Sequence, residues 1–346
     1  MERKRALLTF ASLFLMLFAS IMISSCTKEG PEGKPGLDGI DGKDGAESCS
    51  ACHNLSEVLQ AKLSQYSNST HASGDNVHRN SSTCARCHTS MGFRNYIKDG
   101  TMATVDNPTP INCRTCHPIH ETYTPNDYSI RKATPVTLAV GVGTYNYGNS
   151  NLCANCHEAR TVTPYPVLGG TDVTITSSSY GAHYGPQSNM LAGIGPIQIP
   201  GSMTYMNSAH TTLVTGGCVT CHMSPATGNR GGGHTWAVKY LSASGTESYQ
   251  YTGCLSTGCH ASTSIVTALI NPNRTEITAL MDQLLAKLQV KGLLNSSASV
   301  TTPKTMTALQ AAAVLNYKFV YGDHSYGAHN YRFSKALLVN SIESLN

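Results

Sequence analysis

Charged side chains are scarce in this chain: Lys, Arg, Asp and Glu make up 13% of its 346 residues, about half the usual fraction of roughly 25%. Ser, Thr, Asn and Gly must therefore make up much of the surface. No cluster of lysine and arginine stands out, so the formal net charge of +4 does not point to nucleic acid as a partner. A regular pattern of alternating apolar residues is also missing, which argues against a large sheet. Met91, Met102, Met190, Met203, Met206, Met223, Met281 and Met306 stand in no recurring pattern and read as packing residues.

Cysteine, by contrast, is abundant. Twelve of the 13 cysteines fall into six close pairs, and a histidine follows every pair. Five read Cys-x-x-Cys-His: Cys49, Cys52 and His53; Cys84, Cys87 and His88; Cys113, Cys116 and His117; Cys153, Cys156 and His157; Cys218, Cys221 and His222. The sixth is stretched, with four residues between Cys254 and Cys259 before His260. Cys-x-x-Cys-His is the attachment signature of haem c. Two thiols on one turn reach the two vinyl groups of one porphyrin, and the adjacent histidine binds its iron. Tetrahedral zinc or disulfides would also use paired cysteines, but neither explains the trailing histidine. Six covalently held haems c, with iron, are the cofactors this pattern implies.

The thirteenth cysteine closes an N-terminal segment. Arg3, Lys4 and Arg5 precede an apolar run from Ala6 to Ile23, followed by Ser24, Ser25 and Cys26. That is the layout of a secretory signal peptide over 1–25, with Cys26 placed for acylation as the first mature residue. The run is near the lower limit for a spanning helix, about 17–25 residues. Cleavage removes three basic residues and one acidic, leaving a net charge of +2; the twelve propionates of six haems would make the holoprotein surface acidic. Glycine then recurs at 30, 33, 36, 39, 42 and 45, a collagen-like Gly-x-y stretch within 26–46. It reads as an extended spacer that would reach roughly 50 Å.

Residues 47–260 carry the six motifs, with a long insertion at 161–217, and 261–346 form a helical C-terminal region. Thr275 is placed to cap a helix bearing Ile277, Leu280, Met281, Leu284, Leu285 and Leu288 at helical spacing. A second helix is expected over 307–319 and a third from about Asn330. The mature chain offers about 53 residues per haem, too few for separate domains of the usual 50–200 residues. The expected fold is mostly irregular coil with short α-helices wrapped around a shared haem core and few strands. In place of an ordinary apolar core the composition suggests one built from cofactor, leaving the haem-free chain poorly folded.

Eight of the 14 histidines lie outside the motifs, and six would complete a second axial ligand for every iron. The motifs, the acylation segment and the surroundings of these histidines resemble the outer-surface multihaem cytochromes of bacteria that respire on extracellular acceptors. The segment 325–341 is similar to the histidine-bearing C-terminal helix of the wider group that includes ammonia-forming nitrite reductase. The resemblance implies His71, His120, His183, His210, His234 and His329 as distal ligands, with His78 and His324 as spares. His120, three residues past His117, lies on the same side of that porphyrin and must serve another. The implied function is electron transfer at the cell envelope or surface, with no catalytic residues. The implied partners are other redox proteins or extracellular acceptors, and the membrane is reached through the N-terminal lipid. Relatives that polymerise through inter-subunit haem ligation raise a homopolymer as a further form. The alternative is a multihaem reductase of a nitrogen or sulfur oxyanion or hydroxylamine, which needs one open iron. No motif here replaces its histidine by the lysine that marks the catalytic haem of the nitrite reductase group.

Overall fold

In a computed structural model, residues 53, 57–256 and 258–346 are described. The signal segment, Cys26, the Gly-x-y spacer and the attachment cysteines Cys49 and Cys52 lie outside them. Up to residue 135 the chain is a string of short helices: α1 (Glu57–Ser67), α2 (Thr70–Ser73), α3 (Ala85–His88), α4 (Ser90–Asp99) and α5 (Cys113–Cys116). Side chains start several of them. Ser69 caps α2, Thr89 caps α4, and Asn112 and Thr115 form a capping box on α5, each satisfying amides that a short helix leaves unpaired.

Between 136 and 262 come the β1–β2 pair (Val136–Thr137, Thr144–Tyr145), α6 (Asn151–Ala154), β3 (Val173–Ile175), α7 (Gln187–Ala192), α8 (Ala209–Leu213), α9 (Cys218–His222) and the β4–β5 pair (Lys239–Leu241, Glu247–Tyr249). The C-terminal region follows as α10 (Thr263–Val290), β6 (Lys304–Met306), α11 (Ala308–Asp323) and α12 (Tyr331–Glu343). All strand pairs are short and antiparallel. β3 pairs with β6, Val173 opposite Met306, and so ties the insertion to the C-terminal region. Among the described residues no helix is long and apolar enough to cross a membrane.

Two expectations are corrected. The first C-terminal helix starts at its Ser262 cap and runs through Pro272. Proline removes one backbone bond and usually marks a boundary, but here the helix continues, and Thr275 inside it bonds back to the Asn271 carbonyl. The second correction concerns the core. An ordinary apolar core exists, built from α10, α11, α12 and the insertion, with Ile175, Met190, Ile277, Leu284, Leu315 and Leu338 fully buried in it. Helix α11 is buried nearly all round, as expected for a central helix. The motif-bearing segments are different. Before residue 136 only Ala85, Phe93 and Val105 are buried apolar residues among those described, and between 200 and 265 there are none.

Asparagines join the insertion to this core. Asn316 on α11 donates to the Ile197 carbonyl, accepts from the Ile197 amide, and reaches Ser341 on α12. Asn340 holds Ile199 and Met203 in the same way. Replacing Asn316 by alanine would strand buried polar groups at a cost of about 1–3 kcal/mol each. Urea unfolding should then show a stability loss of about 2–5 kcal/mol. A loss below ~0.5 kcal/mol, the level of a neutral surface substitution, would show that the bridge contributes nothing.

Candidate functional site

Each described motif folds into one tight turn. The histidine amide donates to the carbonyl of the first cysteine: His88 to Cys84 at 3.2 Å, His117 to Cys113 at 2.9 Å and His157 to Cys153 at 2.9 Å. The stretched sixth motif closes through the same bond, His260 to Cys254 at 3.1 Å. The trailing histidine thus keeps its place beside the first cysteine. Gly217, before Cys218, sits at φ +55° and comes so close to Tyr145 and Tyr147 that a Cβ would meet them within 2.8 Å. Only glycine makes that approach without displacing them.

The histidines face one another in six pairs, each joining a motif histidine to one of the six candidates. Ring centroids are 5.9 Å apart for His53 and His120, 6.2 Å for His88 and His183, and 6.3 Å for His117 and His234. The separation is 6.2 Å for His157 and His71, 6.3 Å for His222 and His329, and 6.3 Å for His260 and His210. A metal–imidazole bond of about 2 Å on each side, with the depth of two rings added, comes to about 6 Å between centres. The residues therefore fit an iron held between two imidazoles, and at the five motifs whose cysteines are described two thiols are at hand for its porphyrin. Among the described residues no group of three or more His, Cys, Asp or Glu converges as a bare ion would require. His120 belongs to the first motif's histidine, as its position after His117 demands. The spares stay outside: His78 is exposed, and His324 is exposed and stacks on Tyr184.

Local structure aims each candidate ring. His71 sits in α2, between the Ser69 cap and Gly74 at φ +68°. His120 and His183 occupy the left-handed region, at φ +65° and +66°, a conformation costing a side-chain-bearing residue roughly 1–3 kcal/mol. Around His120 the cost is offset by Asp127, whose carboxylate accepts from the amides of His120, Thr122 and Tyr123. Behind His183, Gly322 on α11 lies so close that a Cβ there would meet the His183 carbonyl at 2.4 Å. The His234 amide donates to Gln65 on α1, and a cleft of about 390 Å³ lined by Val58, Lys62, Pro225 and His234 opens there.

The second ring nitrogens are anchored too. Nδ1 of His117 meets the Ser129 carbonyl at 2.9 Å, that of His210 the Ala328 carbonyl at 2.7 Å, and that of His222 the Trp236 carbonyl at 2.8 Å. His157 meets the Gln187 amide oxygen at 3.2 Å, and His329 meets the Asp323 carboxylate at 2.6 Å. Such partners orient a ring and leave Nε2 free to bind metal. Burial, reinforced by the charge of His157, pushes His71 down to about 4. Burial also lowers His88, His183, His222 and His234. All are thereby kept in the neutral form that ligates. His329 goes the other way: burial would lower it, but the Asp323 carboxylate raises it.

The sites are neighbours. Cys156 is next to Cys87, and Cys153 next to Cys218, each close enough to shift the other's ionisation. Cys116 acts on both Cys153 and Cys156, while Cys221 feels Cys254 and Cys259. The fourth motif thus lies close to the second, third and fifth, the fifth lies close to the sixth, and His117 and His120 join the third to the first. Arg86 pairs with Glu158 across the second and fourth. The chain's one tryptophan, Trp236, lies 4.7 Å from His71 and 5.6 Å from His234. Sequence reasoning did not find Asp127, Gln187, Trp236 or Asp323, because their partners are set by chain folding and no motif contains them.

Comparison with solved structures finds the crystal structure of the outer cell wall cytochrome OcwA, with a TM-score of 0.54 at 21% sequence identity, covering 82% of this chain and 50% of that one. The fold therefore resembles that of a cytochrome, and the aligned part is half of the cytochrome's length. No family model matches the chain, and no curated protein matches it.

Proposed function

We propose that this chain is an electron-transfer protein, a six-haem c-type cytochrome working at the cell envelope or surface. The observation that carries the reading is the pairing of all six motif histidines with six others at 5.9–6.3 Å between ring centres. The twelve paired cysteines would hold the porphyrins, and the two histidines of each pair would hold the iron. When bound, haem c supplies reversible one-electron chemistry between ferric and ferrous iron.

The protein's own contribution is positional. Bis-histidine ligation leaves no axial position for a substrate and holds potentials low relative to His/Met sites. The motif turns would fix the edge of each porphyrin, and the closeness of cysteines of different motifs would bring those edges near one another. The site order that follows is first, third, fourth, fifth, sixth, with the second branching from the fourth. Export and anchoring through Cys26 would place the protein on the envelope, where its partners would be other redox proteins or external acceptors. The match to an outer cell wall cytochrome supports that location.

Low-temperature EPR and magnetic circular dichroism of the ferric holoprotein, with haem counted as pyridine haemochrome, test the reading. Six low-spin bis-histidine haems, unchanged by nitrite, hydroxylamine or cyanide, are the expected result. One high-spin or ligand-binding haem would overturn it in favour of a reductase.

A further inference from the structure

Asp323 is the last residue of α11 and is only 3% exposed. Its carboxylate accepts from His329 Nδ1 at 2.6 Å and from the Ser325 hydroxyl. No lysine or arginine among the described residues lies within ion-pair distance of it. The carbonyl end of α11 adds partial negative charge at the same place. A carboxylate removed from water is costly without a positive neighbour, and among the described residues His329 is its one ionic partner. At the other anchored rings Nδ1 meets a neutral oxygen: a main-chain carbonyl at His117, His210 and His222, and the Gln187 amide at His157. His329 alone among them meets a charged one.

We propose that Asp323 is a positioning residue that lowers the reduction potential of the iron held by His222 and His329, setting the fifth site apart from the others. The inference rests on the haem-ligand reading above. By drawing on the Nδ1 proton, the carboxylate makes His329 a stronger donor and favours the more positive ferric state. One-electron reduction by a redox partner makes and breaks no bond but removes one positive charge beside Asp323, and burial leaves that loss poorly screened. Ser325 works in the opposite sense, since its hydroxyl withdraws charge from the same carboxylate.

The test is a spectropotentiometric titration of the holoprotein beside Asp323→Asn and Ser325→Ala, with haem counted in each. Asparagine keeps an oxygen to accept from Nδ1, so the ring stays oriented and only the charge is removed. The expected result is one haem of six moving to higher potential in D323N and to lower potential in S325A, with the others fixed and the low-spin EPR signals kept. Unchanged potentials in both variants would overturn the proposal and assign Asp323 a purely orienting role. If D323N fails to take up six haems, S325A decides: a downward shift supports the proposal and no shift sinks it. A wild-type protein without six haems would instead refute the underlying cytochrome reading.

Discussion

His71→Ala is expected to convert one of the six haems to a high-spin, cyanide-binding form, whereas His78→Ala leaves all six low-spin. The two histidines are seven residues apart, His71 expected as a ligand and His78 as a spare, and of the two only His71 has a ring opposite a motif histidine, 6.2 Å from His157. Its turn holds it there through the Ser69 cap and the left-handed Gly74. His78 is exposed and lies toward His88, which already faces His183, so it has no route to the fourth site. Added imidazole should restore the low-spin spectrum of His71→Ala by replacing the missing ring. The fourth site lies close to the second, third and fifth, so the substitution should also slow electron exchange across the whole set, measurable by stopped-flow reduction. A low-spin spectrum in His71→Ala would remove His71 from the ligand set. High-spin haem in His78→Ala would show that the described pairing is shifted.

Without haem, the protein is expected to come apart unevenly. The core formed by the insertion and the C-terminal helices belongs to segments 136–200 and 263–346, about 150 residues in all, the size of an ordinary domain. Its burial needs no cofactor, since Leu284, Leu315, Phe319 and Leu337 pack against one another and against Ile175 and Met190. Segments 57–135 and 201–262 have almost no buried apolar side chains and cannot offset the conformational entropy of folding, about 1–2 kcal/mol per residue for the backbone alone. In a variant with every paired cysteine changed to alanine, hydrogen exchange should find protected amides in α11 and α12 and rapid exchange in α1, α4 and α8. Urea should still give a cooperative transition. Uniformly rapid exchange would show that haem supports the entire fold, as composition alone suggests; uniform protection would show that it supports none of it.

The six motifs were legible because haem attachment is local chemistry: thiols and histidine act within one turn, so spacing alone reveals them. The stretched motif at 254–260 is the limiting case, readable from its trailing histidine and then matched by the same His260–Cys254 backbone bond. The helix expected over 307–319 was equally local and forms as α11, which the structure caps with Thr307 and Gln310. The start expected at Thr275 lies instead at the Ser262 cap: Pro272 locally disfavours a helix, but the helix continues through it and is held by packing of Ile277, Met281 and Leu284 further on. The apolar core was missed for a related reason. Ala311, Ala312 and Val314 make no amphipathic stripe, and only a helix surrounded by others buries every face.

What the sequence determined by itself is the number and place of the attachment motifs, the supply of eight further histidines, and the helical character of the C-terminal region. The tertiary structure decided which histidine faces which, that the fourth motif is central, that the C-terminal region has a core of its own, and that a buried carboxylate stands behind His329. The reason is range. Attachment chemistry spans a few residues, but His71 meets a ring 86 residues away and His222 one 107 residues away. Loop closure over such distances costs only slightly more for one partner than for another, so the packing of everything between them makes the choice.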